Sequence, residues 1–359
     1  MTRRKTVREK WKWKGLLAAL LVAGLLLAAC QQAPGIETEA PPDPTPTVET
    51  QPTEEPPWEP VLLQTIGHGG ERLQSVAFSP DGTLVAVGLY PEVRLYDLAD
   101  HALVHSIEHR HRVDDLAFSP DGETIGAGQG VYGVQLSSVE DGIEIRQLHG
   151  GYEGRLAFAP DGETVVTTNR NGLVWKWRVE DGEQLDEWAV EDPDYGRSLA
   201  YSPDGEIVAA GHFDGYIHLW RAADGTLLHT LEPESKYGRA ERLAFSPDGD
   251  LLAVAGAQRE FDHIVRLWRA DDGSIYRELD VGREANGVTF SPDGELLAAG
   301  GNDGVYVWQT SDWQLLYHLE HLDEEGEVDW VQDVAFSPDG RLLGAVTWNG
   351  ALVLYQIQP

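Results

Sequence analysis

Seven arginines recur along the chain where a fixed cation could meet a carboxylate or phosphate: Arg72, Arg112, Arg155, Arg197, Arg239 with Arg242, and Arg283. A guanidinium is planar, permanently charged and carries a fork of donors that fits a two-oxygen anion. The chain holds 60 Asp and Glu against 27 Lys and Arg, a net charge of −33, so gathered arginines would stand out in an acidic field. Acids sit beside them at Asp114, Asp115, Glu153, Glu241 and Glu284. Pairing into a structural girdle therefore competes with docking of a ligand. Aromatics mark the same stretches: Tyr90, Tyr132, Tyr152, Tyr195, Phe213, Tyr237, Phe261, Trp330 and Trp348. Tyr and Trp dominate binding hot spots, and together with arginine they point to binding.

Other chemistries find little support. The single cysteine, Cys30, excludes a disulfide framework and multi-cysteine metal centres. The acidic balance argues against nucleic acid as a partner. His109-Arg110-His111 and His318-x-x-His321 have loose ligand spacing, and a strand sends neighbours to opposite faces, so no metal is expected. No Ser/His/Asp set is identifiable, because turns account for the Asp and Ser residues, and no carboxylate pair is isolated in an apolar setting. The Asp-Gly turns weakly resemble quinoprotein repeats, but a regular stacked-tryptophan dock is missing, so no cofactor is expected. The chain is not expected to be an enzyme.

The amino terminus has its own chemistry. Residues 1–29 carry seven basic side chains and one acid; removing them leaves 20 basic and 59 acidic residues, or −39. Gly15 to Ala29 is an uncharged apolar stretch, short for a bilayer span of roughly 20 residues but suited to a signal peptide. It ends Leu27-Ala28-Ala29-Cys30, which resembles the lipobox of bacterial lipoproteins. That resemblance implies acylation of Cys30, which becomes the first mature residue and tethers the protein outside the cytoplasm on a bacterial membrane. Residues 30–60 then read as the lipidated cysteine and a disordered Pro/Glu/Thr-rich stalk, with no apolar periodicity to support a fold.

What must position the arginines is a repeat. Ala77-Phe78-Ser79-Pro80-Asp81-Gly82 returns in six further copies, with prolines 40, 40, 43, 44, 45 and 46 residues apart. That period is the mark of four-stranded propeller blades. Within each unit an alternating strand runs into Ser-Pro-Asp-Gly, where Pro presets φ and Gly supplies the left-handed residue of a tight hairpin. Third strands end in Tyr96, Trp177, Trp220, Trp268, Trp308 and Tyr355; unit two has Leu136-Ser137 instead. The last unit supplies only three strands, 331–336, 342–348 and 351–356, while a spare strand at 61–66 precedes the first turn. Pairing these ends completes a seventh blade and removes two open edges. Residues 61–359 are thus expected to form an all-β, seven-bladed propeller. First strands run from an upper to a lower face, which puts the arginines at the upper mouth of the central channel and the acidic hexapeptide turns below.

These residues resemble the WD-repeat family of β-propellers over about 300 residues. Trp-Asp is replaced by Trp-Arg at Trp177-Arg178, Trp220-Arg221 and Trp268-Arg269, and by Trp-Gln at Trp308-Gln309. The second-strand Ser or Thr of the family's hydrogen-bond tetrad survives only as Thr167; elsewhere stand Val87, Ala127, Ala210, Val254, Ala299 and Ala345. Cohesion between blades is therefore expected from apolar packing. The functional expectation is a membrane-anchored binding scaffold presenting its upper face to a protein or acidic ligand. Its rivals are a ligand sensor, or a hydrolase or quinone-dependent enzyme working at the channel mouth.

Overall fold

The computed structural model describes residues 60–67, 69–149, 154–191, 194–233, 238–256, 264–321 and 326–357. Cys30, the segments on either side of it, Tyr152, Tyr237 and the loop at 258–263 lie outside the described residues.

Seven antiparallel four-stranded sheets follow one another along the chain. Blade one is Ser75–Phe78, Leu84–Gly88, Glu92–Asp97 and Leu103–Glu108, and the other blades repeat this meander. The first strand of each blade packs beside the first strand of the next, and blade seven meets blade one, so the ring is closed. The spare strand is real. Val61–Gly67 pairs antiparallel with Ala351–Gln356, from Val61 opposite Gln356 to Gly67 opposite Ala351.

Second and third strands are buried on both faces, and the core lies between blades. Seven apolar clusters occupy the seven interfaces between neighbours. The aromatic ends of the third strands fill these wedges: Tyr96, Trp177, Trp220, Trp268, Trp308 and Tyr355 are all buried. The apolar replacements at the tetrad position are buried too, so packing does the work the family's network would do. Thr167 shows what was replaced: Trp177 Nε1 donates to its Oγ1 at 2.8 Å. In blade five Val254 takes that place, and the buried Trp268 Nε1 has no hydrogen-bond partner.

The hexapeptides make the lower face. Ser79 Oγ donates to Asp81 Oδ1 at 2.6 Å and accepts from Leu84 N at 2.9 Å, and Gly82 N donates to Ser79 O at φ +71°. Each turn glycine faces the proline of the preceding blade's turn; a Cβ there would lie 3.4–3.9 Å from the proline Cδ, from Gly122 beside Pro80 round to Gly82 beside Pro338. Ile357 N bonds Arg341 O beside the last of these turns, so the Val61 end of the closing strand reaches this same face. Serine hydrogen bonds, then backbone N–H groups, hold the Asp81, Asp121 and Asp204 carboxyls below the usual range.

Candidate functional site

Three places before its closing aromatic each first strand holds an equivalent, axial position: Ser75, Asp115, Arg155, Ser198, Arg242, Gly287 and Asp333, and four of these, Ser75, Asp115, Arg242 and Asp333, meet across the ring. Arg242 reaches across from blade five. Its Nε and Nη2 donate to Asp333 Oδ1 and Oδ2 at 3.2 and 2.9 Å, its Nη1 to Asp115 Oδ1 at 2.5 Å, and Nη2 also to Ser75 Oγ at 3.2 Å. One side chain thereby ties blades five, seven, two and one. Burial works against its charge, but Asp333 and Asp115 outweigh that and raise its pKa. Burial pushes the Asp333 carboxyl up, against the pull of Arg242. Such a cluster specifies an arrangement more than it adds stability, and it spans the channel beneath the mouth.

Above the cluster lies a cavity of about 230 Å³. Of the arginines and aromatics singled out from sequence, Arg155, Arg197, Arg239, Arg242, Trp330 and Trp348 line it together, joined by Asp114, Glu241, Glu284 and the amides Gln74, Asn286, Asn302 and Gln332. Pairing runs between blades. Arg197 Nη2 meets Glu241 Oε2 at 2.5 Å, Arg239 Nη1 meets Glu284 Oε1 at 3.4 Å, and within blade two Arg112 Nε meets Asp114 Oδ1 at 2.5 Å. The girdle is formed. Arg72, Arg112 and Arg283 are not among the residues lining the cavity, because the seven arginines stand at different levels of the repeat.

Around the mouth the exposed aromatics gather by blade. In blade seven Trp330 and Trp348 lie 5.7 Å apart, joined by Trp348 N to Trp330 O, with Arg72 over the Trp348 face. Blade four repeats the device with Tyr195 and Phe213, 6.1 Å apart and joined by Phe213 N to Tyr195 O. There Arg197 and Arg239 lie 5.7 and 5.2 Å from the Phe213 ring. A third group joins Tyr90, His111 and Tyr132 at 6.3 and 6.2 Å. All six rings named here other than His111 are exposed by more than a third of their surface.

Sequence reasoning missed Asp333 and the four amides. Aligning the seven first strands on their closing aromatic would have found most of them, since Gln74, Asn286 and Gln332 occupy the place just before the axial residue. Histidines serve the frame. His109 is buried and its pKa is lowered to about 4 by burial, while His318 stacks on Tyr306 at 4.2 Å and meets Asp303 O at 3.1 Å. Among the described residues no group of three or more His, Cys, Asp and Glu could hold a metal ion.

A family model described as the IFT122 first beta-propeller matches residues 72–356, which is every blade strand except the closing one. Against curated proteins the chain finds no match.

Proposed function

The chain belongs to the family of the IFT122 first beta-propeller, a WD-repeat-type seven-bladed propeller, and from that footing we propose that it is a binding platform and not an enzyme. A β-propeller is commonly a protein-interaction scaffold. In our reading this one is a bacterial lipoprotein, acylated at Cys30, held by a Pro-rich stalk outside the cytoplasm, with its upper face turned to a protein partner. The observation that carries the reading is the concentration of exposed Tyr, Phe and Trp around one mouth, in paired rings backed by arginine. Rings held in place by backbone hydrogen bonds lose little entropy on contact, which is what an interface anchor needs.

The test is chemical cross-linking and co-purification of the full chain from solubilised membranes. Phe213→Ala with Trp330→Ala is expected to lose the partner, while Ile275→Ala, on the outer edge of blade five, retains it. Equal recovery from both would refute the platform. Fractionation tests the anchor: Cys30→Ser is expected to leave the membrane fraction, and its retention there would overturn lipidation.

A further inference from the structure

Among the described arginines that line the cavity, one guanidinium makes no ion pair with a carboxylate. Arg242 takes two, Asp115 and Asp333; Arg112, Arg197 and Arg239 take Asp114, Glu241 and Glu284. Arg155 keeps only a hydrogen bond from Nη1 to the main-chain oxygen of Asp114 at 2.5 Å, out of five donors that a guanidinium carries. It makes no ion pair among the described residues, and it lines the cavity. Burial, followed by the Arg242 charge, lowers its pKa despite the pull of Asp115 and Asp114. A half-buried cation with spare donors on an open cavity is short of an acceptor.

We propose that the mouth binds one carboxylate, presented as an acidic side chain by a partner peptide, with Arg155 as its anchor. This rests on the platform reading and deepens it. The cavity, about 230 Å³, holds a side chain and no folded element. Trp330 and Trp348 wall it for the methylenes of that side chain; Asn286 Nδ2 is taken up by Asn302 Oδ1 and Val331 O, which leaves Asn286 Oδ1 as acceptor and Asn302 Nδ2 as donor for the peptide backbone. The charge count limits the ligand. With Arg155 counted, the mouth carries five guanidinium groups and five carboxylates, Asp114, Asp115, Glu241, Glu284 and Asp333, inside a protein of net charge −33. A dianion such as phosphate, or a run of acids, would meet repulsion that a lone carboxylate with a directional two-oxygen bond to Arg155 does not.

The test titrates the full chain with acetyl-Gly-Glu-Gly-amide, its Gln counterpart, propionate and inorganic phosphate, read by calorimetry and tryptophan fluorescence. The Glu peptide is expected to bind at least tenfold more tightly than the Gln peptide and more tightly than propionate. Arg155→Gln, checked for its fold by circular dichroism, is expected to abolish the Glu preference. Equal binding of the Glu and Gln peptides overturns the proposal without recourse to any variant. So does phosphate binding more tightly than the Glu peptide, or propionate binding as tightly as it. If the Glu preference is missing while Phe213→Ala with Trp330→Ala still loses the partner, the carboxylate site falls and the platform stands.

Discussion

At the scale of residues, the repeat allows each blade to serve as a control for the others. Six hexapeptides carry in third place a serine whose hydroxyl bonds the turn aspartate, as Ser79, Ser119, Ser202, Ser246, Ser291 and Ser337 do at 2.5–2.6 Å. Blade three has the buried Ala159 there, and Asp161 keeps only the Glu163 N–H. Ala159→Ser is expected to raise stability by about 1 kcal/mol, the net worth of one added hydrogen bond; a denaturant midpoint that stays put or falls would contradict the role given to the clamp. Titration offers a second check. Burial holds His109 and His218 at about 4, His218 further lowered by the neighbouring His212. An unfolded imidazole titrates near 6.5, so between 6.5 and 4 the unfolded chain binds more protons than the folded one. The stabilising contribution is complete above pH 6.5 and is lost as pH falls toward 4, by up to about 1.4 kcal/mol per pH unit and histidine. Urea midpoints should decline across that window, and His218→Gln should flatten part of the decline. An unchanged slope in the variant would be inconsistent with a buried neutral imidazole.

At the scale of elements, the strands were legible because their apolar runs and Ser-Pro-Asp-Gly stops repeat; Val331–Phe336 and Ala351–Gln356 agree with the sequence to the residue, whereas the strand expected at 342–348 ends at Thr347 and the one expected at 61–66 runs on to Gly67. The relative weight of the two chain ends was not legible. Sequence alone suggests that losing either end costs much of the stability. The structure separates them. Leu352, Val353 and Leu354 are fully buried, whereas Val61, Leu62 and Leu63 are 44–54 % exposed and only Ile66 of the closing strand packs against an apolar cluster. Burial depends on what packs over an outer edge, and no pattern within residues 61–66 reports that. Deleting 61–67 is therefore expected to cost chiefly its ladder hydrogen bonds, roughly 2–4 kcal/mol or about 3–6 °C in a thermal melt, and to leave a sticky edge. Leu354→Ala alone should cost as much, about 2–5 kcal/mol. A deletion that unfolds the chain outright would contradict this division.

At the scale of the whole molecule, the ring is what turns seven weak repeats into one site. The residues around Arg242 are far apart in sequence, yet Asp115, Arg242 and Asp333 meet on one axis because each occupies the same place in its own blade. Sequence placed the arginines at a mouth, which is where Arg155, Arg197 and Arg239 stand. Which of them are used up in pairing depends on side-chain reach across the channel, so Arg242 taking two carboxylates and Arg155 none could not be read from spacing. Both the shared axis and the mouth above it require the terminal strands to close the circle in register. The direct measurement is a disulfide between Val61→Cys and Gln356→Cys, residues that face each other across the last pair of strands, in a Cys30→Ser background so that no other thiol is present. The closed ring predicts an intramolecular cross-link under mild oxidation, seen as a faster-migrating monomer on a non-reducing gel that keeps the native fold. Reduced monomer, or dimers alone, would contradict the closure on which the mouth depends.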